Sequence, residues 1–161
     1  MAFTRESIYL LWLSNLKADL IREYERLGLR ASGSYEKELE YMISGKKIEM
    51  YGAYHSQFMQ SGRSKTEKGP EKGKGKLSEI ILKWIDDKKI TPRGGISKKT
   101  LAFLITRKIH REGIKVPNKY NEGGVISNVI TDERIEKLLQ QLEFIEVNQI
   151  STDIINLLQA A

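Results

Sequence analysis

From Thr4 to about Leu29 the apolar residues Ile8, Leu10, Leu13, Leu16, Leu20, Tyr24 and Leu27 recur mostly at every third or fourth position. That is the period of one helix face, with Thr4 suited to the N-cap and Gly28 placed where the helix can end. Trp12 lies partly off this stripe, which leaves two readings open: packing on a neighbouring element, or a subunit interface. Beyond the polar break at 31–34, Tyr35, Lys37, Leu39, Tyr41 and Ile43 alternate with Glu36, Glu38, Glu40 and Met42. Period two predicts a strand with one apolar face. Ser44, Gly45 and Lys46 supply a turn, and Ile48, Met50, Gly52 and Tyr54 then alternate with Glu49, Tyr51, Ala53 and His55, which predicts a β-hairpin continuing into an extended segment as far as Arg63. A lone hairpin is marginal in water and needs a cover. The first helix is the expected one; strands from a neighbouring subunit are the alternative.

Three further helical stripes follow. Leu77, Ile80, Ile81, Trp84 and Ile85 form the first, with Lys88 and Lys89 at its C-terminal end. Ser97 is a good N-cap for the second, whose apolar residues are Leu101, Leu104, Ile105 and Ile109. Lys108, His110 and Arg111 complement the dipole at its end, where Gly113 can take the left-handed C′ conformation and Ile114 can pack back on the last turn. The third starts at Thr131 with Asp132 and Glu133 in its first turn and Ile135, Leu138, Leu139 and Leu142 as its buried stripe. Residues 144–150 suit either helix or strand, and Ser151 to Leu158 reads as a terminal helix. The fold class expected is α+β: a long N-terminal helix packed on a small antiparallel sheet, with further amphipathic helices and a C-terminal helical segment.

The chain of 161 residues suits one domain, 1–161, and its 40% hydrophobic and 30% charged residues are ordinary for a chain that folds. Two stretches interrupt it. Gly62 to Lys76 carries Arg63, Lys65, Lys68, Lys72, Lys74 and Lys76 against Glu67 and Glu71, with no apolar side chain, and is expected to be a mobile basic loop. Lys115 to Asn128, with Pro117, Gly123 and Gly124, is expected to be a second long loop. The absence of cysteine excludes disulfides and thiolate metal sites. The apolar cluster from Ile8 to Leu13 is too short and too quickly interrupted to span a bilayer, so no membrane association and a cytosolic product are expected. A net charge of +6 permits contact with nucleic acid or with an acidic protein surface.

No constellation of catalytic type stands out. His55 and His110 are the only histidines, without the partners that a metal or acid-base role requires. Asp86 and Asp87 are adjacent and so face different ways on a helix. The glycine-rich loop is a near miss for a phosphate-binding loop: aligned on Gly75 and Lys76, the first glycine falls on Pro70 and the hydroxyl on Leu77. Neither a cofactor, a metal nor a small-molecule substrate is expected. Nucleic-acid binding stays open, and because no aromatics interleave the lysines it would be phosphate-driven and non-specific.

The order of elements, with a hairpin running into AYHSQFMQSGR and then a basic Gly/Pro loop, resembles the neck or tail-completion proteins of tailed bacteriophages. Tyr54, Phe58, Gly62 and Arg63 occupy the places comparable to that family's strand-to-loop segment. LAFLITRKIHREGI, residues 101–114, is similar to a stretch found in virion structural proteins of phages of Bacteroidetes-type bacteria. The resemblance implies a non-enzymatic part of a head-tail connector, a ring of copies of itself that joins portal-side to tail-side components. Its place would be the virion neck, reached after assembly in the host cytoplasm. Arg63, Lys65, Lys68, Lys72, Lys74 and Lys76 would then contact an acidic connector surface or packaged DNA. The alternative is a non-specific, phosphate-backbone nucleic-acid-binding protein.

Overall fold

The computed structural model describes residues 4–66 and 77–159. Helix α1 (Arg5–Arg26) opens with a capping box: the Ser7 amide donates to Thr4 Oγ1 at 3.1 Å and the Thr4 amide donates to Ser7 Oγ at 2.9 Å. Two orphan donors of the first turn are thereby satisfied. The helix stops at Leu27, and Gly28 follows at φ 66°, the left-handed region that lacks a steric penalty only for glycine. Ile8, Tyr9, Leu13, Leu16, Leu20 and Tyr24 are buried along one side of α1.

That stripe is covered in two portions. Toward the N-terminus, Ile8 and Tyr9 pack with Leu138 of α6 (Asp132–Gln159) and with Ile43 and Ile48 of the hairpin β1 (Glu40–Ser44) and β2 (Lys47–Tyr51). The Tyr9 hydroxyl also donates to the Lys46 carbonyl in the hairpin turn, at 3.2 Å. The strands are antiparallel with Tyr41 opposite Met50 and Ile43 opposite Ile48, and Gly45 takes φ 59° in the two-residue turn. Toward the C-terminus, Leu16, Leu20 and Tyr24 pack with Tyr35, Leu39 and Val125. Tyr24 and Tyr35 stack at a tilt with ring centroids 4.5 Å apart. Trp12 touches both portions, and the Arg134 guanidinium of α6 lies over its ring at 5.8 Å from the centroid. Of the two readings of Trp12, the structure has packing on a neighbouring element.

The remaining helices are α2 (Ser34–Glu38), α3 (Ser56–Ser61), α4 (Leu77–Asp87) and α5 (Lys98–Glu112), giving a mostly helical α+β fold with one two-stranded sheet among the described residues. Several sequence expectations are corrected. The strand expected from Tyr35 begins instead as α2, because Tyr35 and Leu39 are four residues apart and share a face in a helical turn as well as in a strand. The second strand stops at Tyr51, and the segment expected to run extended to Arg63 forms α3, with Tyr54 and Phe58 edge to face at 5.6 Å between centroids. In α5 the buried side is centred on Ala102 and Ile109, which turns Leu104 outward. In α6 Leu138 is buried with Leu142 and Ile145 beside it, while Ile135 and Leu139 are exposed. The ambiguous 144–150 segment and the terminal helix are one continuous part of α6.

The 115–128 segment has no helix, yet it supplies Val125, with no accessible surface, to the core. Asn121 donates to the Met59 carbonyl at 2.9 Å and the Ile126 amide donates to Gln60 Oε1 at 2.9 Å, so α3 holds the loop against the body. No helix among the described residues is long and apolar enough to cross a membrane. Because Leu16 sits under this loop and Leu157 near the end of α6 does not, Leu16→Ala should cost about 2–5 kcal/mol and Leu157→Ala less than about 0.5 kcal/mol in chemical denaturation. Equal losses at both positions would mean that the end of α6 is packed in the monomer.

Candidate assembly surface

Of the six basic residues singled out by the sequence, Lys68, Lys72, Lys74 and Lys76 lie outside the described residues. Arg63 and Lys65 are described, and they do not begin a free loop. The Arg63 amide donates to the Ile114 carbonyl at 2.8 Å, and the Ile114 amide donates back to the Arg63 carbonyl at 2.7 Å. Further along, the Thr66 amide donates to the His110 carbonyl at 3.0 Å and the Thr66 hydroxyl meets His110 Nδ1 at 2.9 Å. His110 thus ties the basic stretch to the last turn of α5.

Two glycines make that crossing possible. A methyl group at Gly62 would stand 2.1 Å from the Ile114 carbonyl oxygen, and one at Gly113 would stand 2.3 Å from the Arg63 carbonyl oxygen. Gly113 has φ 75° but ψ −165°, so it leads the chain into this backbone pairing rather than into the expected left-handed C′ turn. Ile114 is correspondingly used through its backbone and stays partly exposed. The expectation that it packs back on the last turn gives way to the pairing with Arg63.

Helices α4 and α5 pack chiefly on each other. Ile85, Ala102 and Ile109 are buried, and Asp86 Oδ1 accepts from Lys98 Nζ at 2.6 Å. At the end of α4, Lys89 takes φ 53°, while the Ile90 amide donates to the Ile85 carbonyl and the Lys89 amide to the Asp86 carbonyl, each at 2.9 Å. This closes the helix in the manner usually reserved for glycine. Lys88 Nζ donates to the Gly28 carbonyl at 2.8 Å and thereby joins the helix pair to the end of α1. The outward sides of the pair carry Ile80, Trp84, Phe103 and Leu104, all exposed. Leu104, Arg107 and Arg111 are spaced three and four apart, so they form one line on α5.

A second apolar surface lies on α6. The side that packs on α1 through Leu138, Leu142 and Ile145 continues as Gln149, Thr152 and Asn156, where burial is no longer possible without cost. From Val147 onward the apolar positions are Val147, Ile150, Ile154 and Leu157, a stripe rotated by roughly 130° around the helix, with Ile155 and Leu158 beside it. Their exposure runs from 52% to 74%, and nothing among the described residues covers them. The sequence contains this switch: after Ile145 the core-facing positions turn polar, and the three-four spacing of apolar residues moves to a different side of the helix.

The charged groups elsewhere are largely paired. A groove between α1 and the start of α6 is lined by Asp19, Arg22, Glu23, Arg26 and Arg134. Asp19 accepts from Arg22 at 2.8 Å and from Arg134 at 2.7 Å, and Glu23 accepts from Arg26 at 2.7 Å and from Asn128 at 2.8 Å. Hydrogen bonds from Arg26 and then Asn128 pull the Glu23 carboxyl down to about 2. His55 is exposed at the start of α3, and among the described residues no group of acidic and histidine side chains is placed to hold a metal ion. Compared with known protein families, curated proteins and solved structures, the chain has no significant match.

The lowered value of Glu23 sets a pH dependence. Its folded pKa lies below the ordinary 4.5, so its stabilisation is fully present above 4.5 and is lost as pH falls toward 2. Glu23→Gln should therefore lower the melting temperature near neutrality, with a deficit that shrinks through this window. A deficit that stays constant down to pH 2 would place the effect in packing rather than in charge.

Proposed function

We propose that the chain is a non-enzymatic subunit of a larger protein assembly, of the head-tail connector type that its sequence resembles. The observation that carries this reading is the second half of α6, where four apolar side chains in helical register stand more than half exposed. Contiguous apolar surface of this kind marks an interaction site rather than a stable boundary with water. The α4/α5 pair adds a second exposed apolar surface of the same type. In this reading the partners are copies of the chain and neighbouring portal-side or tail-side components, and the protein resides in the virion neck after assembly in the host cytoplasm. Arg63, Lys65 and the further lysines to Lys76 meet an acidic partner surface or packaged DNA.

Phosphate-backbone binding is the second reading, supported by the exposed Lys99, Arg107, Lys108 and Arg111 of α5. It is less favoured, because Phe103 and Leu104 on the same helix gain nothing from a phosphate partner. Quantitative mass spectrometry of purified virions from cells that express the chain should find it at a fixed, multi-copy stoichiometry. Fully infectious virions without it would contradict the connector reading.

A further inference from the structure

The two exposed surfaces differ in charge. From Glu143 to Gln159, α6 carries Glu143, Glu146 and Asp153 and no basic residue. Asp153 lies three positions after Ile150 and four before Leu157, so it borders the apolar stripe; Glu146 is engaged with Arg5 of the same chain. Helix α5 has the opposite character, with five basic residues against the single acidic Glu112. Arg107 and Arg111 follow Leu104 along one line of its outer side, Arg111 pairing with Glu112 of the same helix, and Trp84 and Ile80 are exposed on α4.

We infer that the second half of α6 of one copy docks on the outer side of the α4/α5 pair of the next copy. The apolar stripe Val147, Ile150, Ile154 and Leu157 would cover Leu104 and its exposed neighbours, and Asp153 would face Arg107 and Arg111. Charge separates this arrangement from its alternative. Two α6 stripes laid against each other would bring acidic borders together with no base to offset them, whereas the α4/α5 surface offers both the apolar area and the complementary sign. The contact uses different patches on the two copies and is therefore heterologous. Repeated from copy to copy, it closes into a ring or extends as a filament. This inference rests on the assembly reading and specifies the surfaces by which copies meet.

A mixing experiment with the full chain tests it. One variant carries Ile150→Ser, Ile154→Ser and Leu157→Ser; the other carries Arg107→Glu and Arg111→Glu. All five positions are exposed, so both variants should keep the circular dichroism and melting temperature of the unaltered chain, which is measured first. By native mass spectrometry the unaltered chain should form assemblies of more than two copies. Each variant alone should associate at least about tenfold more weakly. Mixed, they should form one-to-one dimers and nothing larger, because only one intact pair of surfaces remains. Unimpaired self-association of the arginine variant would overturn the inference in favour of stripe-to-stripe pairing. A strictly monomeric unaltered chain would overturn it too, yet the connector reading would survive if virions still contain the chain in many copies.

Discussion

A helix of 22 residues with apolar side chains along one side from Ile8 to Tyr24 has to bury that side along its whole length, and even the longer α6 covers only part of it. The cover is therefore assembled from pieces distant in sequence: the hairpin, the first part of α6, α2 and the loop residue Val125. Each piece depends on α1 more than on the others. A five-residue hairpin pair is unstable alone, and a loop without secondary structure has only its contacts to hold it. Trp12, reaching both halves of the cover, joins them into one core.

The same constraint leaves surplus surface. Helix α6 pairs with α1 only where its apolar side faces the body, and α1 is already occupied by other elements beyond Trp12. The shift of phase after Ile145 then directs Val147, Ile150, Ile154 and Leu157 away from α1 instead of toward it. The α4/α5 pair is a comparable case, since Ile85, Ala102 and Ile109 are satisfied between the two helices while Ile80, Trp84, Phe103 and Leu104 remain outside. Both surfaces lie on helices, so their apolar side chains are already in register before a partner arrives.

The strongest sequence signals were those in which a local pattern and a cap agreed. Thr4, Ser97 and Gly28 mark helix ends where the structure has them, and the alternation around Ser44 and Lys46 marks the hairpin. The sequence pattern and the structure part where one spacing serves two conformations, as with Tyr35 and Leu39, or where a small residue rather than a large one takes the inside. Leu104 is larger than Ala102, yet Ala102 is the buried residue and Leu104 is exposed. The pairing of Arg63 with Ile114 could not be read at all, because it joins residues 51 positions apart through backbone groups that every residue has. Its trace in the sequence is the pair Gly62 and Gly113, whose common need appears only once the two strands of chain are seen to cross.

The central claim is that α6 has two halves with different fates: one completes the core of a subunit and the other is reserved for a partner. Amide hydrogen exchange followed by mass spectrometry reads both halves in one experiment. In dilute, monomeric protein, peptides covering residues 132–146 should be protected like those of α1, while peptides covering 147–159 exchange much faster and become protected as concentration rises and copies associate. Uniform strong protection along all of α6 in the monomer, unchanged by concentration, would contradict the account.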